Sequence, residues 1–142
     1  MIKSKMGMKD NVNFGVGKGF DEKMLMSGIM TAELFDENSI LKDRREVGNL
    51  VTVLGHQMAA DQILASPAVA TPGWMELGTG TGQDENDSTL ATYISGSRTV
   101  LDSKTRGANA IITMICTFPG GTGTGAVTEA GTFNVVTQDT TD

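Results

Sequence analysis

The chain contains one cysteine, one histidine, one tryptophan, one tyrosine and three prolines. The single Cys116 cannot close an internal disulfide. Without Cys or His companions at ligand spacing it does not make a structural zinc site. The lone His56 has no Cys, Asp or Glu placed to complete a metal site or a catalytic triad, and reads as a solvated side chain. No apolar run approaches the roughly 18 residues of a membrane-spanning helix. The first ten residues, MIKSKMGMKD, are basic but lack the apolar stretch of a secretory signal, so none is expected there. Cations are scarce: 11 Lys and Arg against 17 Asp and Glu leave a net charge of −6. Neutralising phosphates needs clustered Lys and Arg, and an anionic membrane surface attracts the same residues. Neither nucleic acid nor membrane is therefore expected as a partner.

What is present suits one modest domain. Leu, Ile, Val and Phe together number 32 of 142 residues, above the level of a disordered chain. Residues 1–70 hold seven of the nine Met and two Thr, whereas residues 71–142 hold sixteen Thr. Met is a good helix former and β-branched Thr favours strands. The shift falls at SPAVATPG, residues 66–73, where two prolines and a glycine make a connector. This pattern predicts an α-containing first half and a β-rich second half, each too short to fold alone.

Residues 1–27 combine five Lys, scattered Met and four Gly, and no helical or strand period is sustained across them. They are expected to form an extended arm, either a floppy terminus or one whose Met6, Met8, Phe14 and Phe20 order on a neighbouring subunit. The body, residues 28–142, is expected to be α+β and mainly β. It would be an antiparallel sandwich or sheet with one packed helix at about 48–65. GIMTAELF, residues 28–35, suits a strand, Asp36 to Ser39 a turn, and residues 40–47 a returning strand. Asn49 is positioned to cap the helix. Val47, Leu50, Val51, Leu54, Met58 and Ala65 form one apolar stripe at ~100° per residue, and Gly55 marks an expected close contact with a strand.

Further strands are expected at 74–77, 97–103 and 110–118, the last two joined by residues 104–109. In AIITMICTF both alternating faces are apolar or Thr, the pattern of a central strand covered on both sides. Cys116 there reads as a small buried hydrophobe. A last strand spans 127–135, with Gly131 as a bulge or close-approach site.

MELGTGTG, residues 75–82, places Glu76 before glycines at spacing two, as a phosphate or S-adenosylmethionine loop can. GGTGTG follows at 120–125. A cofactor loop of this kind sits between a buried strand and a helix N-terminus. Here Gln-Asp-Glu-Asn-Asp-Ser follows Gly82, with no apolar helical face and with acids that repel a phosphate. No Lys follows the second run. Both runs read as connections between strands, and no cofactor is expected. The acidic stretch 84–88 departs from a calcium-binding EF-hand loop, which needs Gly where Thr89 stands and Glu where Ser95 stands. No nucleophile-and-base pair, paired carboxylates or oxyanion motif stands out, so no catalytic residues are expected.

Three segments in order carry a resemblance: Asn49-Leu50-Val51 with Gly55, Trp74-Met75-Glu76-Leu77-Gly78-Thr79-Gly80-Thr81, and Val127-Thr128-Glu129-Ala130-Gly131-Thr132-Phe133-Asn134. Over roughly residues 28–136 the chain resembles a family of small tailed-bacteriophage virion proteins, with related segments in the attachment modules of tail fibres. The resemblance implies a structural, non-enzymatic role, either decorating or cementing a capsid or serving as a tail-fibre or baseplate adaptor. A small enzyme using the glycine runs is the remote third reading. The implied partners are other virion proteins and copies of the chain itself, a threefold arrangement among them, and the implied location is the virion. Members of that family continue into further strands, so the edge near 127–136, with Phe133 and Val135, is expected to be paired between subunits or shielded by the arm.

Overall fold

The computed structural model describes residues 26–137. Strand β1 (Gly28–Phe35) turns back into β2 (Leu41–Asn49), and helix α1 (Val53–Asp61) follows. After the connector come β3 (Trp74–Gly78), β4 (Thr99–Val100), β5 (Ser103–Arg106), a single 3₁₀ turn (Ala108–Ala110), β6 (Ile112–Ile115) and β7 (Glu129–Phe133). The described chain is mainly β with one α-helix, and its strands form three small antiparallel sheets: β1–β2, β4–β3–β7 and β5–β6.

The hairpin is closed by Asp36. Its carboxylate accepts the N–H groups of Asn38 and Ile40, both at 2.9 Å, and Ser39 takes a left-handed φ of 61°. These are the short-range bonds that Asp supplies in turns. Strand β2 is longer than the sequence pattern indicates and runs through Asn49, which pairs with Gly28. Asn49 is therefore not a helix cap. Thr52 caps α1, its Oγ1 accepting the Gly55 N–H at 3.2 Å. The helix is nine residues long and buries no side chain fully. Val47 lies in β2 and is 57% exposed, so the expected apolar stripe does not pack as one face on a sheet. A Cβ on Gly55 would meet Val51 in the preceding turn rather than a strand.

The core is built by the second half. One face of β3 presents Met75 and Leu77, which with Cys116 and Phe118 form the buried apolar cluster, flanked by Ile94, Leu101, Val127 and Ala130. Burying each of these large side chains contributes about 1.5–3 kcal/mol. The expected strand at 97–103 is split. Thr99 and Val100 pair with β3, then the chain breaks away and Ser103–Arg106 pair with β6. The Leu101 N–H donates to the Gly73 carbonyl at 2.9 Å and the Asp102 N–H to the Ile115 carbonyl at 2.8 Å. This crossing ties the two sheets to one core. Strand β6 pairs only with β5 among the described strands, so it is not central. Met114, Cys116 and Phe118 on one face are buried, while Ile111, Thr113 and Ile115 on the other are half-buried. Residues 104–106, expected as part of a loop, complete β5. Lys104 Nζ reaches back to the Thr71 hydroxyl at 2.9 Å and the Pro72 carbonyl at 2.8 Å, pinning the connector.

Candidate functional site: two carboxylates behind the glycine run

Because side chains alternate along a strand, the face of β3 opposite the core carries Trp74, Glu76 and Gly78. Their partners on β7 are Phe133, Gly131 and Glu129. This face holds both carboxylates that stand next to glycines in the sequence.

Glu129 is 8% exposed. Its Oε1 accepts the N–H of Gly80 at 2.8 Å and of Thr92 at 2.9 Å. Its Oε2 accepts the N–H of Ala91 at 3.1 Å and a short hydrogen bond from the Gln83 amide. The neighbouring Thr128 hydroxyl donates to the Gly80 carbonyl at 2.8 Å. Four donors from residues 80–92 thus converge on one carboxylate, an arrangement in which a buried charge is tolerated. The glycines permit it. A Cβ on Gly78 would lie 2.6 Å from the Thr92 carbonyl oxygen and one on Gly80 would lie 2.7 Å from the Thr92 nitrogen, and both would also strike the Glu129 carboxylate. Gly131 meets the expectation of close approach, since a Cβ there would be 3.0 Å from the Phe133 ring and 3.1 Å from Leu90.

Glu76 is paired with Arg98 at 2.9 Å, with the two side chains 2% and 3% exposed. The guanidinium lies 3.8 Å above the centroid of the Phe133 ring, a cation–π geometry. Its Nη1 also donates to the carbonyls of Val135 and Thr137, each at 3.0 Å. Arg98 therefore anchors the chain beyond β7 to β3. A cavity of about 420 Å³ opens beside this pair, lined by Glu76, Arg98 and residues 89–93.

The acid that precedes the glycine run faces an arginine, and the acid that fills the run belongs to the chain's own last described strand. Cys116 is fully buried, its thiol directed at the Thr99 and Val100 carbonyls. Burial, with the nearby Asp102 charge, pushes that thiol up to about 12, far from a reactive thiolate. The acidic stretch 84–88 is a turn closed on itself. The Asp84 N–H donates to the Asp87 carboxylate at 2.8 Å, and the Asn86 N–H to that of Asp84 at 2.7 Å. It also meets α1, where the Val53 N–H donates to the Glu85 carbonyl at 2.7 Å. Among the described residues no group of three or more His, Cys, Asp or Glu converges as a metal-ligand set. No helix among them is long and apolar enough to cross a membrane.

Of the residues expected at an interface, Met6, Met8, Phe14 and Phe20 lie outside the described residues. Phe133 is 6% exposed and lies under the Arg98 guanidinium. Val135 is half-buried. Strand β7 is an edge strand among the described strands. Sequence reasoning passed over Arg98 and Glu129 as polar-network residues, because their partners are 22 to 49 positions away. Comparison of the chain with models of protein families, with curated proteins and with solved structures gave no match.

Proposed function

We propose that this chain is a non-enzymatic structural protein of a tailed-bacteriophage virion, decorating or cementing the capsid through contacts between subunits. The observation that carries the reading is the β1–β2 hairpin. Ile29, Leu34, Ile40, Leu41 and Val47 are each between 48% and 57% exposed, and the two strands pack extensively only on each other among the described elements. A two-stranded hairpin is marginal by itself in water, and apolar side chains exposed on both of its faces are surface that association would cover.

Two further points support it. Two of the three segments that resemble phage virion proteins, residues 74–81 and 127–134, contain the paired strands β3 and β7, which favours a resemblance in scaffold. The carboxylates beside the first glycine run are held by groups of the same chain, which favours a scaffold over a cofactor loop. In this reading the partners are the capsid protein and other copies of the chain, and each added interface stabilises the assembly by mass action.

The test is the copy number of the chain in purified particles, with its position in particle images. Abundant copies on the shell support the reading. A few copies at the tail make the chain an adaptor and overturn the capsid assignment. Absence from particles overturns both.

A further inference from the structure

Strand β2 pairs only with β1 among the described strands. Eight of its nine residues are exposed, Leu41 at 48% and Val47 at 57%. Between those two apolar residues it reads Lys42-Asp43-Arg44-Arg45-Glu46. Five charges in a row turn an ordinary strand away from an edge. Their order, however, is self-complementary about Arg44. Laid antiparallel on itself with Arg44 at the centre, the strand sets Lys42 opposite Glu46, Asp43 opposite Arg45 and Leu41 opposite Val47, each twice. The strands β1 and β2 hold three cations and three acids, so two hairpins meet without net repulsion on a chain whose overall charge is −6.

Few registers compete with this one. The outward main-chain groups of an edge recur at every second residue, so a copy of the same edge slides by two positions at a time. One slide sets Lys42 against Arg44 twice and Asp43 against Asp43, all like charges. The other slide keeps only Arg44 opposite Glu46, sets Arg45 against Arg45, and leaves Lys42 and Asp43 facing Gly48 and Val47. Opposite charges directly across a ladder stabilise it and like charges destabilise it, which selects the centred register. Its single like pair, Arg44 with its copy, keeps acids beside it, Glu33 at 3.9 Å and Glu46 at 3.6 Å on its own chain. The pairs Arg45–Asp43 and Lys42–Asp36, each at 3.0 Å, are exposed. Exposed pairs contribute little, so sharing these groups with a second copy gives up little.

We propose that two copies of the chain pair through the outer edges of β2, antiparallel across a twofold axis at Arg44, joining two hairpins into a four-stranded sheet. The inference rests on the reading that the chain works through contacts between subunits, and it names the surface and its occupant. The contact is isologous, the same patch on both copies. Main-chain hydrogen bonds hold the strands together, and the order of charges rejects strands that lack the matching signs. On one face Met30, the Val47 that stands opposite it and Leu41 of the second copy form an apolar row, repeated across the axis. A sheet of more than two strands with such a face gains the stability that a lone hairpin lacks.

The experiment uses the full chain and follows self-association by sedimentation. Wild type is expected to dimerise. Asp43→Arg alone sets Arg against Arg twice across the axis, and Arg45→Asp alone sets Asp against Asp twice. Each is expected to weaken the dimer by about tenfold or more. Mixed, the two variants set Arg against Asp at both places and are expected to pair with each other as tightly as wild type pairs with itself. A second measurement needs no charge reversal. Arg44→Cys stands opposite its own copy at a Cα separation of about 4.5–5.5 Å, within reach of a disulfide. It is expected to give a disulfide-linked dimer on mild oxidation, whereas Lys42→Cys, four residues out of step with its copy, is not. The native Cys116 is fully buried and stays silent. A monomeric wild type overturns the proposal. So do single variants that associate like wild type, a mixture that stays apart, or equal linking by both cysteines. Particle copy number is read separately. A chain abundant in particles but monomeric in solution sinks the twofold pairing and leaves the virion reading standing. A chain absent from particles whose two charge variants pair only with each other does the reverse.

Discussion

Gly80 donates its backbone N–H to the carboxylate of Glu129 at 2.8 Å, across 49 residues of sequence. The glycine run is the cradle of an internal carboxylate, and the fold closes when the last described strand delivers Glu129 into it. Replacing Glu129 by Gln keeps the shape but puts an amide group where four donors already converge. The expected cost is about 2–3 kcal/mol, the range for hydrogen bonds to a charged group. It is read as a lower urea midpoint at unchanged slope. A wild-type midpoint would show that the cradle does not matter to stability.

Not every glycine of the two runs is required. Gly80→Ala drives a methyl into Glu129 and Thr92, whereas a Cβ on Gly120 meets nothing within 4 Å. Gly80→Ala is expected to destabilise by about 1–3 kcal/mol or more. Gly120→Ala should stay within about 0.5 kcal/mol of the parent. Equal effects in thermal unfolding would contradict the assignment.

Arg98 and Glu76 form a buried ion pair over Phe133. Arg98→Met leaves the carboxylate without its guanidinium and is expected to cost about 3–5 kcal/mol. Adding Glu76→Leu removes the stranded charge, so the double variant should be more stable than the sum of the two single losses. A strictly additive double-mutant cycle would argue against coupling.

Thr52 caps α1 and Asn49 ends β2. Thr52→Ala should lose about 1 kcal/mol, with a matching drop in helical circular dichroism. Asn49→Ala should leave the helix signal unchanged. The opposite ranking would restore Asn49 as the cap.

Asp36 has its pKa lowered, first by the Ile40 N–H, then by Lys42 at 3.0 Å and by the Asn38 N–H. A depressed carboxylate contributes stability that is present above its unfolded-state value and lost as pH falls through the folded value. The hairpin turn is therefore expected to loosen at pH below the ordinary Asp range. The amide signals of Asn38 and Ile40 should report this in an NMR titration. Asp36→Asn should remove that pH dependence, and a hairpin that loosens identically in the variant would point to another group.

The strands Gly28–Phe35, Trp74–Gly78 and, within the expected 127–135, the shorter Glu129–Phe133 were readable because alternation, β-branched residues and flanking turn residues are local signals, each acting within a few positions. The burial of Cys116 was readable in the same way, from an apolar run with no charge beside it. The helix was misplaced for a physical reason. Val47 and Leu50 extend the helical stripe in sequence, but residues 41–49 are captured by pairing with β1, and long-range pairing overrides a weak local period. The strand expected at 97–103 broke because it serves two sheets in turn, which no local pattern records.

By itself, the sequence determined a mainly β chain with one helix, a single buried thiol, an acidic body and glycines between strands. Only the tertiary structure decided what those glycines are for and which charges are buried. Glu129 enters the turn that Gly78 and Gly80 leave open, and Arg98 settles between Glu76 and Phe133. The reason lies in the range of the interactions. Propensity and periodicity act over a few residues, whereas hydrogen bonds and ion pairs act across space, and their partners are chosen only when distant segments are brought within about 3 Å of each other.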